Sequence, residues 1–256
     1  MLIVFNKKKI YSYLVALCTV IILFMVAASF TNSMTIATSS NVARKLPIYQ
    51  VKTEKKKVAF TMNCAWNADD IDRILEILDK TNTKITFFMV GDWVDKYPEQ
   101  VKKIAEKGHE IANHSNTHPH VNQLSIEQNQ EEIKLCNEKI EKLTGKKPEL
   151  YRGPYGEYND NVITAAENEK MKTIQWSLDT LDYTGLTGEE MWKRLDNKLT
   201  NGSIILSHNG TKHTADSLEM LLGNIKKQGY EIVKVSDLVY QNDYQIDANG
   251  IQQIKK

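Results

Sequence analysis
The sequence predicts a parallel α/β fold, and within that class a barrel in preference to a doubly wound sheet. Three observations carry this. Strand-like and helix-like patterns alternate at least six times after residue 57. The strand-like runs are short and largely apolar, as expected where both faces of a sheet are covered. No glycine-rich phosphate loop follows the first strand, which argues against a nucleotide-binding sheet.

The elements follow in order. "KVAFTM" from residue 57 reads as a strand, and "ADDIDRILEILDKT" as a helix with acids in its first turn. "KITFFMV" is the second strand, and "DWVDKYPEQVKKIAEKG" one helix closed by Gly108. "HEIANH" is the third strand. The run "SIEQNQEEIKLCNEKIEKLTG" follows, with Ser125 as N-cap and Gly145 as C-cap. Then come "ELYRGP", a helix around 158–169, "KTIQWSL" as one strand, a helix around 187–199, "GSIILSH", the helical "TADSLEMLLGNIKKQG" and "YEIVKVSDL".

Composition frames the chain as an ordinary globular domain with tails. It has 256 residues, 41% hydrophobic and 25% charged, and a formal net charge of +1. That balance gives no electrostatic case for a nucleic-acid partner. The "KTEKKK" run at 52–57 reads as a solvated entry to the first strand. The N-terminus carries an address. Lysines at 7–9 precede 21 uncharged residues, 10–30. As a helix that run is about 31 Å long, enough to cross the hydrocarbon layer. The preceding lysines set residues 1–9 in the cytoplasm and export the rest. We expect an uncleaved single-pass anchor in the cell membrane, with secretion after cleavage at "VAAS" (26–29) as the alternative. Residues 31–56 read as a polar linker, 57–240 as the domain and 241–256 as a tail. Cys18 lies in the apolar run, and Cys64 and Cys136 imply no disulfide framework. A monomer is expected.

In barrels the reactive groups sit at the C-terminal ends of the strands. Here those ends carry Asn63 and Cys64, His114 and His118, Arg152 and Tyr155, Asp179 and Asp182, and His208. Four of the six histidines crowd into residues 109–120. His114 and His118, four apart, suit one divalent ion, although the bare spacing also reads as a surface or capping pair. His109 and His120 lack a partner at ligand spacing and read as structural or solvent-facing.

"HSNTHPH" resembles the second motif of the polysaccharide deacetylases, the NodB-homology group of metal-dependent carbohydrate esterases. "TFFMVGDW" and "YPEQVKKIAEKGHEIANH" resemble the stretch preceding that motif. "YRGPYGEYN" resembles the family's Arg-x-Pro-Tyr-Gly motif, "WSLDTLDY" its Asp-x-x-Asp-Trp motif, and "ILSH" its Leu-x-His motif. The likeness covers about residues 57–240, and extends to the membrane-anchored branch of spore-forming bacteria, in which Ala/Ser-Trp-Gly follows the first strand.

This resemblance implies a distorted (β/α) barrel behind one N-terminal transmembrane helix, and removal of acetyl groups from N-acetylated sugars of a cell-wall glycan such as peptidoglycan or a chitin-like polymer. It implies that His114 and His118 bind a divalent metal, zinc or cobalt. His208 would be the general acid, with Asp182 holding its other nitrogen and Asp179 ordering the loop. Arg152 would support the charged groups. Pro154 and Tyr155 would face substrate, the Tyr155 N–H donating to the oxyanion, and Leu206 and Tyr183 would line the acetyl pocket. The first motif departs from the family. It reads Asn63-Cys64 where the family has Asp-Asp, a base and a metal ligand. An amide cannot take a proton from water at neutral pH. A thiolate is a good zinc ligand, so Cys64 is a third-ligand candidate, with simple packing in the core as the other reading. Asp69 and Asp70 are candidates too, with capping of the first helix as theirs. Three functions follow: an exported deacetylase with a modified first motif, a silent relative that binds glycan, and an unrelated metal or redox protein using Cys64.

Overall fold
The computed structural model describes residues 11–12, 15–23, 25 and 44–255, which fall in two separate units, one within residues 1–43 and one from 44 on. Residues 15–23 are helical. Among the described residues no helix is long and apolar enough to cross a membrane, and much of the span expected over 10–30 lies outside them.

The second unit is built on a parallel sheet. Its strands are β2 (Lys57–Cys64), β3 (Thr86–Met89), β4 (Glu110–Asn113), β5 (Leu150–Tyr151), β6 (Lys172–Thr173), β7 (Leu178–Asp179), β8 (Ile204–His208) and β9 (Glu231–Val233). They lie in the order β6-β5-β4-β3-β2-β8-β7, with β9 paired to the start of β2. Every pair is parallel.

The run "KTIQWSL", expected as one strand, is two. β6 and β7 stand at opposite edges of the sheet, joined only by residues 174–177. Five Cα steps span at most about 18 Å. Seven flat strands would spread their edges about 29 Å apart. The sheet therefore curls on itself, and the short link forces the barrel-like shape. Ile48 sits in the seam: its N–H donates to Thr173 O and its carbonyl accepts from Gln175 N.

That contact corrects the expected domain limits. Residues 44–56 are not all linker, because β1 (Gln50–Val51) pairs in parallel with β11 (Ile251–Ile254). β11 in turn pairs with β10 (Tyr244–Ile246), so the presumed tail is structured too. Ile48 and Val51 are buried, which is why the segment stays down.

The helices are α1 (Ile71–Lys80), α2 (Gly91–Lys96), α3 (Pro98–Glu106), α4 (Ile126–Thr144), α5 (Asp160–Asn168), α6 (Gly188–Leu195), α7 (Thr214–Lys227) and α8 (Val235–Leu238). The single helix expected over 92–108 breaks at Tyr97 (φ −129°, ψ 53°), because the residue before Pro98 is pushed out of the helical region. α4 starts with a capping box between Ser125 and Gln128 and ends on Gly145 in the left-handed region (φ 70°).

Strand alternation decides which residues face the site. On β2, Val58, Phe60, Met62 and Cys64 pack into the large core shared with the helices. Ala59 points the other way, into a second cluster with Ile48, Phe88, Ala112 and Ile204. Thr61 and Asn63 continue that inner row upward. Apolar residues fill the barrel interior, and polar ones cap it.

Candidate active site
The inner row ends in a cleft of about 510 Å³, lined among others by Asn63, Trp66, His114, His118, Tyr155, Asp179, Tyr183, Leu206 and His208. In register, Asn63 lies beside His208, and Leu206 bridges Thr61 and Asp179. Trp66, Tyr155 and Tyr183 are 49%, 60% and 52% exposed, which makes the rim aromatic.

His114 follows directly on β4 and is buried. Its Nδ1–H donates to Arg152 O at 2.7 Å, so Nε2 carries the free lone pair. Burial first, and then His118, hold its pKa well below the ordinary histidine value. The ring is neutral, as a ligand must be. His118 stands with its centroid 5.1 Å from His114 and 4.6 Å from the Tyr155 ring. Burial lowers its pKa as well.

The loop between the two histidines is pinned by a residue that sequence reasoning missed. Glu132 of α4 accepts from Ser115 Oγ (2.7 Å), Asn116 N (2.9 Å) and Thr117 N (2.9 Å) through Oε2. Its Oε1 accepts from Thr117 Oγ1 at 3.0 Å. In the sequence it is one of several glutamates in a helix just after the motif, and nothing there separates it from a solvated face. His120, expected as structural or solvent-facing, stacks on Tyr155 at 4.4 Å, and its Nδ1 donates to Glu157 Oε1 at 2.7 Å. Tyr155 itself adopts φ 57°, and a Cβ on neighbouring Gly153 would lie 2.3 Å from Glu157 O. The Gly-Pro-Tyr-Gly turn is thus a backbone requirement. Pro154 is buried behind this turn and is not part of the cleft wall.

Across the cleft, His208 Nδ1 donates to Asp182 Oδ1 at 2.8 Å, leaving Nε2 available to a ligand. Asp182 is fully buried. It also accepts from His208 N, Thr214 Oγ1 and Tyr183 N, so both of its oxygens are occupied. Trp66 and Tyr183 flank the His208 ring at centroid distances of 5.3 and 5.4 Å.

Arg152 is fully buried beneath the cleft. Nη1 donates to Thr61 Oγ1 and Asn63 Oδ1, both at 2.9 Å, while Nε and Nη2 donate to the carbonyls of Ile174 and Gln175.

The third-ligand candidates do not join the histidines. Cys64 is packed in the helix-facing core, and burial pushes its thiol pKa well up. Strand parity is the cause, since Asn63 faces the cleft. Asp69 and Asp70 line a neighbouring cleft with Asn67, Arg73 and Lys212. Asp70 accepts there from Asn209 Nδ2 and Gly210 N. Among the described residues no group of three His, Cys, Asp or Glu is placed to hold a metal. The donor set fits a divalent ion at two imidazoles and not at a third position. Cys18, Cys64 and Cys136 are all free.

Residues 50–174 match the family model for polysaccharide deacetylase. The chain is 38% identical over 193 residues to the uncharacterized protein YlxY of Bacillus subtilis, covering 75% of this chain and 60% of that one. It is 29% identical over 188 residues to the peptidoglycan-N-acetylglucosamine deacetylase of Bacillus cereus, covering 72% and 68%. The crystal structure of wild-type BA3943 of Bacillus anthracis, described as a CE4 family pseudoenzyme, is 34% identical. It superimposes with a TM-score of 0.72 over 75% of this chain and 68% of that one. A BA3943 mutant described as having restored enzymatic activity matches equally well, at TM-score 0.72.

Proposed function
Since this chain belongs to the polysaccharide deacetylase family, we propose that it hydrolyses the acetamide of N-acetylated sugars in a cell-wall glycan of the peptidoglycan type. The observation that carries this is the His208–Asp182 pair facing His114 and His118 across one aromatic-rimmed cleft. The rim of Trp66, Tyr155 and Tyr183 suits the apolar faces of sugar rings. His208, held by Asp182, delivers a proton to the leaving nitrogen. Arg152, itself held by Thr61, fixes Asn63 at the cleft floor, and Leu206 and Tyr183 bound the space for the acetyl group.

A divalent ion, zinc first and cobalt as the alternative, would be held by His114 and His118. Such an ion polarises a carbonyl oxygen. With only two protein ligands its hold is weaker than a three-ligand site gives, and the proton transfers are assigned to the protein's own groups. The reading sets the domain outside the cell, tethered through residues 10–30. The lysine-led apolar run supports that placement.

A second reading, a glycan-binding relative without turnover, is favoured by one observation. The side chain facing Arg152 at the base position is the neutral amide of Asn63. The two readings part on the His208→Ala variant of the purified protein. For an enzyme, acetate release from N-acetylglucosamine oligomers is lost while oligomer binding persists. For a binder, parent and variant behave alike in both assays.

A further inference from the structure
If Asn63 cannot accept a proton, some other group must, or the cleft is inert. Among the described residues the carboxylates around the site can be taken one by one. Both oxygens of Asp182 are bonded to His208, Tyr183 and Thr214. Both oxygens of Glu132 hold the loop between the histidines. Glu157 accepts from His120 and from Asn122 N. Asp70 is bonded to Asn209 and Gly210, and both it and Asp69 face the neighbouring cleft. Asp179 remains.

Asp179 ends β7 and lines the main cleft. It lies in register with Leu206, which lies in register with Thr61 on β2, so strand parity points it into the barrel mouth with Asn63 and His208 above that row. Its Oδ1 accepts from Leu181 N at 2.8 Å, and its Oδ2 takes no hydrogen bond among the described residues. From these placements we infer that Asp179 is the general base of this cleft, replacing the lost carboxylate at position 63. The inference rests on the deacetylase reading above. Burial, the largest influence on this carboxyl, lifts its pKa above the usual range. That makes it a better proton acceptor near neutral pH.

The step balances without any further reactant. Asp179 Oδ2 takes one proton from a water as the water oxygen bonds to the acetamide carbonyl carbon. The C–N bond then breaks, its electron pair staying on nitrogen, which takes a proton from His208. Acetic acid, which sheds its remaining proton to solvent as acetate, and a free amino sugar leave, and the proton on Asp179 returns through solvent to His208.

The test measures acetate release by the full chain from N-acetylglucosamine oligomers and from peptidoglycan strands. Asp179→Asn should lower kcat by about 10²–10⁴-fold with KM within about twofold, as expected for loss of a positioned base. Formate should restore part of the rate in Asp179→Ala. Asn63→Asp added to Asp179→Asn should recover at least about tenfold by offering a base from the other wall. A parent with turnover whose Asp179→Asn variant keeps kcat within about threefold overturns this assignment and leaves the deacetylase reading standing. So does a loss that neither formate nor Asn63→Asp relieves. A parent that releases no acetate overturns both.

Discussion

Arg152 Nη1 lies 2.9 Å from Asn63 Oδ1, a charged donor on a neutral acceptor in a fully buried position. The rest of its shell is also neutral: Thr61 Oγ1, two backbone carbonyls, and the Phe88 ring with its centroid 3.9 Å from Cζ. Burial pulls the guanidinium down to about 9, and the charge of Asp179 opposes that fall. The cavity around residue 63 therefore surrounds a cation and supplies it with an amide.

Asn63→Asp should consequently stabilise the fold by about 1.5–3 kcal/mol, the range for a hydrogen bond to a charged group. The guanidinium would hold the new carboxyl below its unfolded value, so the gain is present above about pH 4 and is lost as pH falls through the depressed value. Thermal melts of parent and variant at pH 7 and at pH 3 check this. The difference in Tm should shrink at the lower pH.

Zinc affinity should depend on the two imidazoles and on no thiol. His114→Ala and His118→Ala should each abolish measurable binding, since each removes half of the donor set. Cys64→Ser should leave the titration unchanged and cost about 1–3 kcal/mol of stability, because it buries a hydroxyl in the helix-facing core. Asp69→Ala should titrate like the parent. Calorimetric titration with zinc reads all four variants.

Glu132→Ala removes four hydrogen bonds from the loop that joins the histidines. Zinc affinity should drop by about 10–100-fold, the usual cost of losing a group that orients a ligand. Glu132→Gln, which keeps an acceptor oxygen, should fall between the two. The same titration, alongside a melt showing the fold intact, measures it.

Stability should decline as pH falls from about 6.5 to about 4, in part through His109. Burial pushes its pKa down to about 4, and its Nδ1 accepts from Ile85 N. The unfolded chain binds a proton there below about 6.5 and the folded chain does not, so stability is full above that value and erodes beneath it. His109→Gln, which does not titrate, should flatten the slope of unfolding free energy against pH in this window. Denaturant melts at half-unit steps would show it.

Much of this was legible in the sequence because strand ends and motif spacing constrain the same residues. His114, His118, Asp179 and His208 all reach one cleft, as their positions at strand ends required. Parity on β2 was equally legible and would have separated Cys64 from Asn63, since adjacent strand residues face opposite sides. The split of 172–178 across two sheet edges was not, because two-residue strands carry no period. Nor was the seam position of Ile48, which depends on a hydrogen-bonded bridge to Ile174 more than a hundred residues away. Glu132 escaped notice because a glutamate in an amphipathic helix reads as a solvated face until its partners are placed.

The central claim is that this cleft hydrolyses an N-acetyl group, and the direct measurement is acetate released from purified peptidoglycan by the full chain supplied with zinc. The account predicts steady acetate accumulation, with a matching mass loss of about 42 Da per converted sugar, and loss of both in His208→Ala. Glycan that binds the cleft yet keeps every acetyl group, with zinc and with cobalt alike, would contradict it.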